Sequence, residues 1–475
     1  MRRLQVALVV LSVLAADDVA AQSFDRLSPG VRGAVAVQEP IVALTNVRVI
    51  DGTGAAPREN QTVVIENGRI RSVGPAGSTQ VPAGARTLDL AGHTVIPGIV
   101  GMHNHTFYTT SRRSIQANFS MPRLYLASGV TTTRTTGSMS PYSELNLKKR
   151  IDAGEVPGPR MHVTGPYISG DGAGSGMYEV GTPEDARRVV AYWAKEGATW
   201  FKFYTLITRE EAKAAIEEAH KHGLKVTGHL CSVGFREAVA LGIDAVEHSL
   251  FANSEYDPNK KPDQCPSTME ASLANLDIKS PAVRATIDDM VKNKVAMTST
   301  LAIYELYVPG RPKDLDPRML EAMSAETREE YLAHRKRLAE NPNAGTPESV
   351  FKKAMEFDRM FVAAGGLLAA GSDPTGSGGA LPGFGDQRNH ELLVEAGFSP
   401  TESLKIMTLN GAKVLGVDKD LGSVEAGKVA DLVVIRGNPA TSPSDIRNVT
   451  IVFKDGVGYD SAKLLAAVKG VVGVR

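Results

Sequence analysis

Val95-Ile96-Pro97-Gly98-Ile99-Val100-Gly101-Met102-His103-Asn104-His105 is the stretch around which the chain is organised. Apolar residues run into a Pro-Gly pair, then into a short apolar strand that ends in His-x-His. Successive strand side chains point to opposite faces, so His103 and His105 share one face. Neutral imidazole is the commonest metal ligand, and this spacing lets two rings reach one ion. The competing reading is an ordinary polar pair at a strand end, and the residues that follow along the chain decide between them.

The rhythm after this strand is alternating. Gly129 to Arg134 and Arg160 to Gly165 read as strands. A helix is predicted from Pro183 to Lys195, with Thr182 as N-cap and Pro183 at the first helical position. Strand Thr199 to Tyr204, helix Arg209 to His222, strand Leu224 to Leu230, helix Phe235 to Leu241 and strand Ala245 to His248 follow. Val295 to Thr300 and Gly366 to Gly371 complete a set of eight strands. Strand, helix, strand at this spacing implies parallel βαβ units. Eight such strands suit a (β/α)8 barrel of the TIM type, whose active site sits at the C-terminal strand ends.

Both chain ends have a different texture. Short β-rich runs from Ile41, with an Asn67-Gly68 hairpin signal, match runs at Ala430–Ile435 and Val449–Phe453. The fold expected is α/β: a barrel over 96–419 beside a small β-sandwich built from 41–95 and 420–475. The charged, helical stretch 304–349 is longer than a crossover needs, and reads as a lid or flank at the barrel mouth, or as an insertion without a role.

Lys plus Arg balances Asp plus Glu at 53 each, which argues against nucleic acid or another polyanion as partner. Arg2 and Arg3, the apolar run Leu4 to Ala16 and the small residues Val19-Ala20-Ala21 read as a signal peptide over 1–21, with a leader over 22–40. The run is short of the ~20 residues that span a bilayer. An uncleaved anchor is the alternative. With the signal removed, the expectation is an exported, periplasmic or secreted protein with no membrane partner. Self-association is left open. Cys231 and Cys265 are either a disulfide or two buried thiols.

His103 and His105 end the first barrel strand, Lys202 lies on the fourth, His229 on the fifth and His248 on the sixth, while Asp373 follows the eighth. Chance hardly places this whole set at one end of a barrel. Lys202 shares a face with Trp200 and Tyr204, which points it inward. Burial lowers a lysine pKa by up to ~3–5 units, or about 4–7 kcal/mol. A neutral amine escapes that cost and can add CO2, giving an anionic carbamate that bridges metals. The bland alternative is a lysine whose head reaches solvent.

The stretch Val95 to His105 with Lys202, His229, His248 and Asp373 resembles the dinuclear metal-dependent amidohydrolase superfamily, a (β/α)8 barrel beside a β-sandwich of both termini. In detail it is most similar to the exported imidazolonepropionase-like branch, near prolidase-type dipeptidases and ochratoxin amidases. The resemblance implies two divalent ions: His103, His105 and Asp373 on one, His229 and His248 on the other, and carboxylated Lys202 between. Zn2+ suits these ligands first. It implies a hydroxide held by the metals that attacks an amide or peptide-like C–N bond of a small substrate, such as a dipeptide, an N-acyl amino acid or an ochratoxin-like amide. Asp373 would carry the proton to the leaving nitrogen. Cyclic amides, lactones and phosphotriesters are the alternative substrates of the same site. Tyr204 is a candidate oxyanion or substrate contact, or a packing tyrosine. Arg134 is a candidate partner for a substrate carboxylate, or the partner of a neighbouring acid.

Overall fold

The computed structural model describes residues 24–111, 113–174, 176–376 and 379–473. The expected signal peptide, 1–21, lies outside them. Among the described residues no helix is long and apolar enough to cross a membrane.

The class is α/β. The strands of the alternating region are Ile99–Asn104, Val130–Thr135, Arg160–His162 continued by Thr164–Ser169, Trp200–Phe203, Lys225–Gly228, Ala245–Glu247, Ala296–Ser299 and Leu368–Ala370. They pair in parallel in three groups. Further backbone hydrogen bonds link the groups: Ser138 N–H to Gly165 O, Asp244 N–H to Val226 O, and Asp373 N–H to His103 O at 2.8 Å. Helices Pro183–Glu196, Arg209–Lys221 and Phe235–Leu241 fall where the sequence predicts them. Thr182 accepts a hydrogen bond from Asp185 N–H, and Thr208 and Glu211 form a capping box, so local chemistry alone fixes these starts.

The strand faces are sorted as the alternation requires. Phe201 and Phe203 join Val246, Met297 and Leu368 in the apolar core beneath the helices. Each such side chain contributes about 1.5–3 kcal/mol on burial. Trp200, Lys202 and Tyr204 face the other way. The third strand does not stop at Gly165 but runs to Ser169.

The two chain ends meet in a nine-stranded sheet. Its path runs Val35–Val37, Val457–Asp460, Val449–Lys454, Leu432–Arg436, His93–Pro97, Ile41–Val49, Arg58–Glu66, Arg69–Pro75, with Arg86–Asp89 branching from Ile41–Val49. The pairing runs through all nine strands as one connected sheet. Asn67 and Gly68, with φ of 49° and 80°, form the predicted hairpin turn. The segment expected as a patternless leader supplies a helical turn, Pro29–Arg32, and the edge strand Val35–Val37. Cys231 and Cys265 form a disulfide, with Cα atoms 4.9 Å apart.

Candidate metal centre

His103 comes at the end of the first parallel strand and His105 just past it. His229 follows the fifth strand, His248 the sixth, and Asp373 comes three residues past the eighth. All of them converge. His103 Nε2 lies 3.5 Å and His105 Nε2 3.1 Å from Asp373 Oδ1, and His248 Nδ1 is 3.8 Å from Asp373 Oδ2. The rings of His103 and His248 are 4.4 Å apart, and those of His229 and His248 4.3 Å. His103, His248 and Asp373 each offer a ligand atom within 4.8 Å of the others.

The backbone is bent to achieve this. His248 has φ of 68° and Asp373 of 49°, a region that non-glycine residues rarely adopt and that clusters at functional sites. Gly371 makes room for the turn, since a Cβ there would lie 2.1 Å from His103 N.

Burial sets the protonation. It pulls the His103 and His248 imidazoles well below their ordinary pKa, helped by the nearby Lys202 charge, and holds His229 down to about 4. These rings are therefore neutral and carry lone pairs. The Nδ1 of His103 is 2.7 Å from Glu247 Oε2, so Nδ1 donates and Nε2 is left free toward Asp373. The Nδ1 of His248 is 2.8 Å from Thr300 Oγ1. Burial would raise the Asp373 carboxyl, but His103, His105 and Lys202 outweigh it and hold it well below the usual range. Lys202 is 1% exposed, and burial brings its amine down to about 8 against the pull of Glu247 and Asp373. Neutral imidazoles, an ionised carboxylate and a readily neutralised amine form a donor set that fits divalent metal.

Two candidate residues differ in their surroundings. Tyr204 lines the cavity above the cluster, its ring 5.1 Å from that of His229. Arg134 does not reach the cavity. It is 0% exposed, with Nη2 2.5 Å from Glu247 Oε1, Nε donating to Met102 O and its guanidinium over the Trp200 ring. That corrects its candidate role on a substrate carboxylate: the neighbouring acid has taken it.

Glu247 and Tyr167 are the residues the sequence reading missed. Glu247 holds His103, Arg134 and Thr227 at once. A charged residue closing the apolar run Ala245-Val246 was the available signal. Tyr167, with its hydroxyl 3.4 Å from His105 Nε2, lies past the point where the third strand was expected to end.

The cavity above the cluster encloses about 990 Å³. The 304–349 stretch forms part of its wall through Tyr304, Tyr307 and Asn343 to Pro347, as a flank of the mouth would.

Known proteins resemble this chain in the same terms. It is 36% identical over 128 residues to the 5-methylthioadenosine/S-adenosylhomocysteine deaminase of Moorella thermoacetica, a match spanning 25% of this chain and only 30% of that protein. A Bifidobacterium longum protein provisionally assigned as a prolidase superposes with a TM-score of 0.64 at 26% identity, over 90% of this chain and 98% of the other. Bottromycin amidohydrolase gives 0.70 at 21%, over 94% and 95%, and the ochratoxinase of A. niger 0.64 at 17%, over 88% and 95%; at such identities the likeness is one of fold. The model of the Amidohydrolase family matches residues 94–292 and 313–458, well over half of the 475, and the chain belongs to that family.

Proposed function

We propose that the protein is a metal-dependent hydrolase that cleaves a C–N bond, amide or peptide-like, in a small substrate. The observation that carries this reading is the convergence of His103, Lys202, His229, His248 and Asp373 on one cavity, with His105 buried against Asp373. His103, His105 and Asp373 would hold one divalent ion, His229 and His248 a second, and Lys202, as a carbamate, would lie between them. Such ions, Zn2+ first, supply Lewis acidity toward the scissile carbonyl.

The chain's own residues do the rest. Asp373, ionised among the histidines, accepts the proton of the attacking water and returns it to the leaving nitrogen. Tyr204 keeps its proton, because burial and the Asp373 charge raise its pKa, so its hydroxyl is a donor for the developing oxyanion.

In the same reading the parallel strands close as a (β/α)8 barrel over about 96–419, with 41–95 and 420–475 as the second domain; the hydrogen bonds between the strand groups support this. Export is part of the reading as well, and the Cys231–Cys265 disulfide supports an oxidising compartment. N-terminal sequencing beginning near Gln22 is the expected result, and an intact Met1 would refute it.

The short deaminase match favours a second reading, in which the C–N bond is that of an amino-substituted base. Metal-loaded protein assayed on dipeptide, N-acyl amino acid, aminopurine nucleoside, lactone and phosphotriester panels separates them. An amine leaves only once protonated, whereas an activated ester needs no donor. Asp373→Asn at confirmed metal content is therefore expected to cost about 10²–10⁴-fold on an amide and less on the matched activated ester. Equal losses would remove Asp373 from the proton path.

A further inference from the structure

Two aromatic walls flank the centre. On one side the Phe107 ring lies 4.8 Å and the Tyr167 ring 6.1 Å from that of His105. Beside His248, Tyr304 stands edge-on at 5.6 Å, and Phe251 stacks on Tyr304 at 3.9 Å with 4° between the planes. The Tyr204 ring lies 5.4 Å from that of Tyr167 and 5.1 Å from that of His229. Met139, Met177 and Met269 continue the lining outward.

Charge is distributed just as unevenly. Among the described residues lining the cavity, Lys202 is the one cation, and it belongs to the centre. Glu270 is the one acid besides Asp373. The Arg134 guanidinium is spent on Glu247.

We propose that the substrate carries an aromatic or comparably bulky apolar group on each side of the scissile bond, and no carboxylate beside it. The inference rests on the C–N reading above and narrows its substrate class. Aromatic faces and thioethers on both flanks reward apolar surface on both the acyl and the amine part. A carboxylate brought between them sheds its hydration and meets phenol hydroxyls and Glu270 in place of a guanidinium fork. A dipeptide or N-acyl amino acid is thus the poorer substrate, and an uncharged diaryl amide the better.

The test uses the full, metal-loaded protein and three probes: N-benzoyl-2-phenylethylamine, the same molecule with a carboxylate (N-benzoylphenylalanine), and N-acetyl-2-phenylethylamine, which lacks one ring. Dissociation constants from calorimetry are read beside kcat/KM. The uncharged diaryl amide is expected to bind at least tenfold tighter than either of the others. Of Phe107→Ala and Tyr304→Ala, one is expected to erase the advantage over the single-ring amide and the other to weaken both uncharged amides alike, each with an unchanged circular-dichroism spectrum. Equal or tighter binding of the acid, equal binding of both uncharged amides, or no binding of any probe overturns the proposal. Tight binding of the diaryl amide without cleavage sinks the C–N reading and leaves the pocket assignment standing. Cleavage that favours the acid does the reverse.

Discussion

The interior below Lys202 and the cavity above it are built from the same strands, yet they use charge in opposite ways. Below, Arg134 and Glu247 are both 0% exposed and answer one another, with Met102 O, Thr227 and the Trp200 ring taking up most of what remains. Above, neutral imidazoles and an ionised carboxylate crowd together beside open volume. A charge already paired inside the fold holds strands together. Imidazole and carboxylate lone pairs gathered at one point suit a metal cation. His103 joins the two regions, since its Nδ1 belongs to Glu247 and its Nε2 to the centre.

The comparison breaks most readily at Glu247. Glu247→Ala strands the Arg134 charge in the interior and releases His103, so the metal-free protein is expected to lose about 3–5 kcal/mol of unfolding free energy in urea. Asp373→Asn, on the other side of the boundary, strands no guanidinium and is expected to cost less of that free energy than Glu247→Ala, while activity collapses. Two variants with the same stability loss would erase the distinction between floor and mouth.

A smaller effect is expected at the rim. The Cys231–Cys265 disulfide ties the turn after His229 to the segment that leads into Met269 and Glu270 on the cavity wall. Cys265→Ser is expected to cost about 3 kcal/mol by thermal or urea unfolding. It should raise KM more than it lowers kcat, because the wall moves and the centre does not. A loss confined to kcat would place the tether's influence on the centre itself.

These residues also show where sequence reasoning reached and where it stopped. Helix starts at Thr182 and Thr208 and the turn at Asn67-Gly68 were legible because their causes lie within a few residues. The metal-type residues were legible because each ends a recognisable strand. Gly165 misled: it is no terminator, but the place where a Cβ would meet the Phe201 ring at 3.0 Å, and the strand passes through it. Val35–Val37 was invisible because its partner, Val457–Asp460, comes from the other end of the chain. Arg134 was ambiguous for the same reason. Its place at the end of the second strand left either partner open, and only the fold brings Glu247, 113 residues away, against it.

The smallest expected effect sharpens the comparison from behind the His103–His105 strand. Glu144, in the first turn of helix Pro141–Asp152, is 0% exposed. It accepts a hydrogen bond from Thr106 Oγ1 at 3.1 Å, and its Oε2 has no hydrogen-bond partner. Burial raises its pKa to about 7, against the weaker opposing pull of the Thr135, Thr106 and Ser138 hydroxyls. Unlike Glu247, it has no guanidinium to keep it charged. The folded protein therefore holds a proton here that the unfolded chain releases near pH 4.5. The stability this group contributes is complete below that pH and is lost as pH rises through about 7. Glu144→Gln keeps the shape and cannot ionise. Its stability relative to the parent is expected to improve by roughly 2 kcal/mol between pH 5 and pH 8, read from urea midpoints at the two values. A constant difference would mean that Glu144 is ionised in the fold throughout, and that the interior behind His105 tolerates an unpaired charge that the floor beneath Lys202 does not.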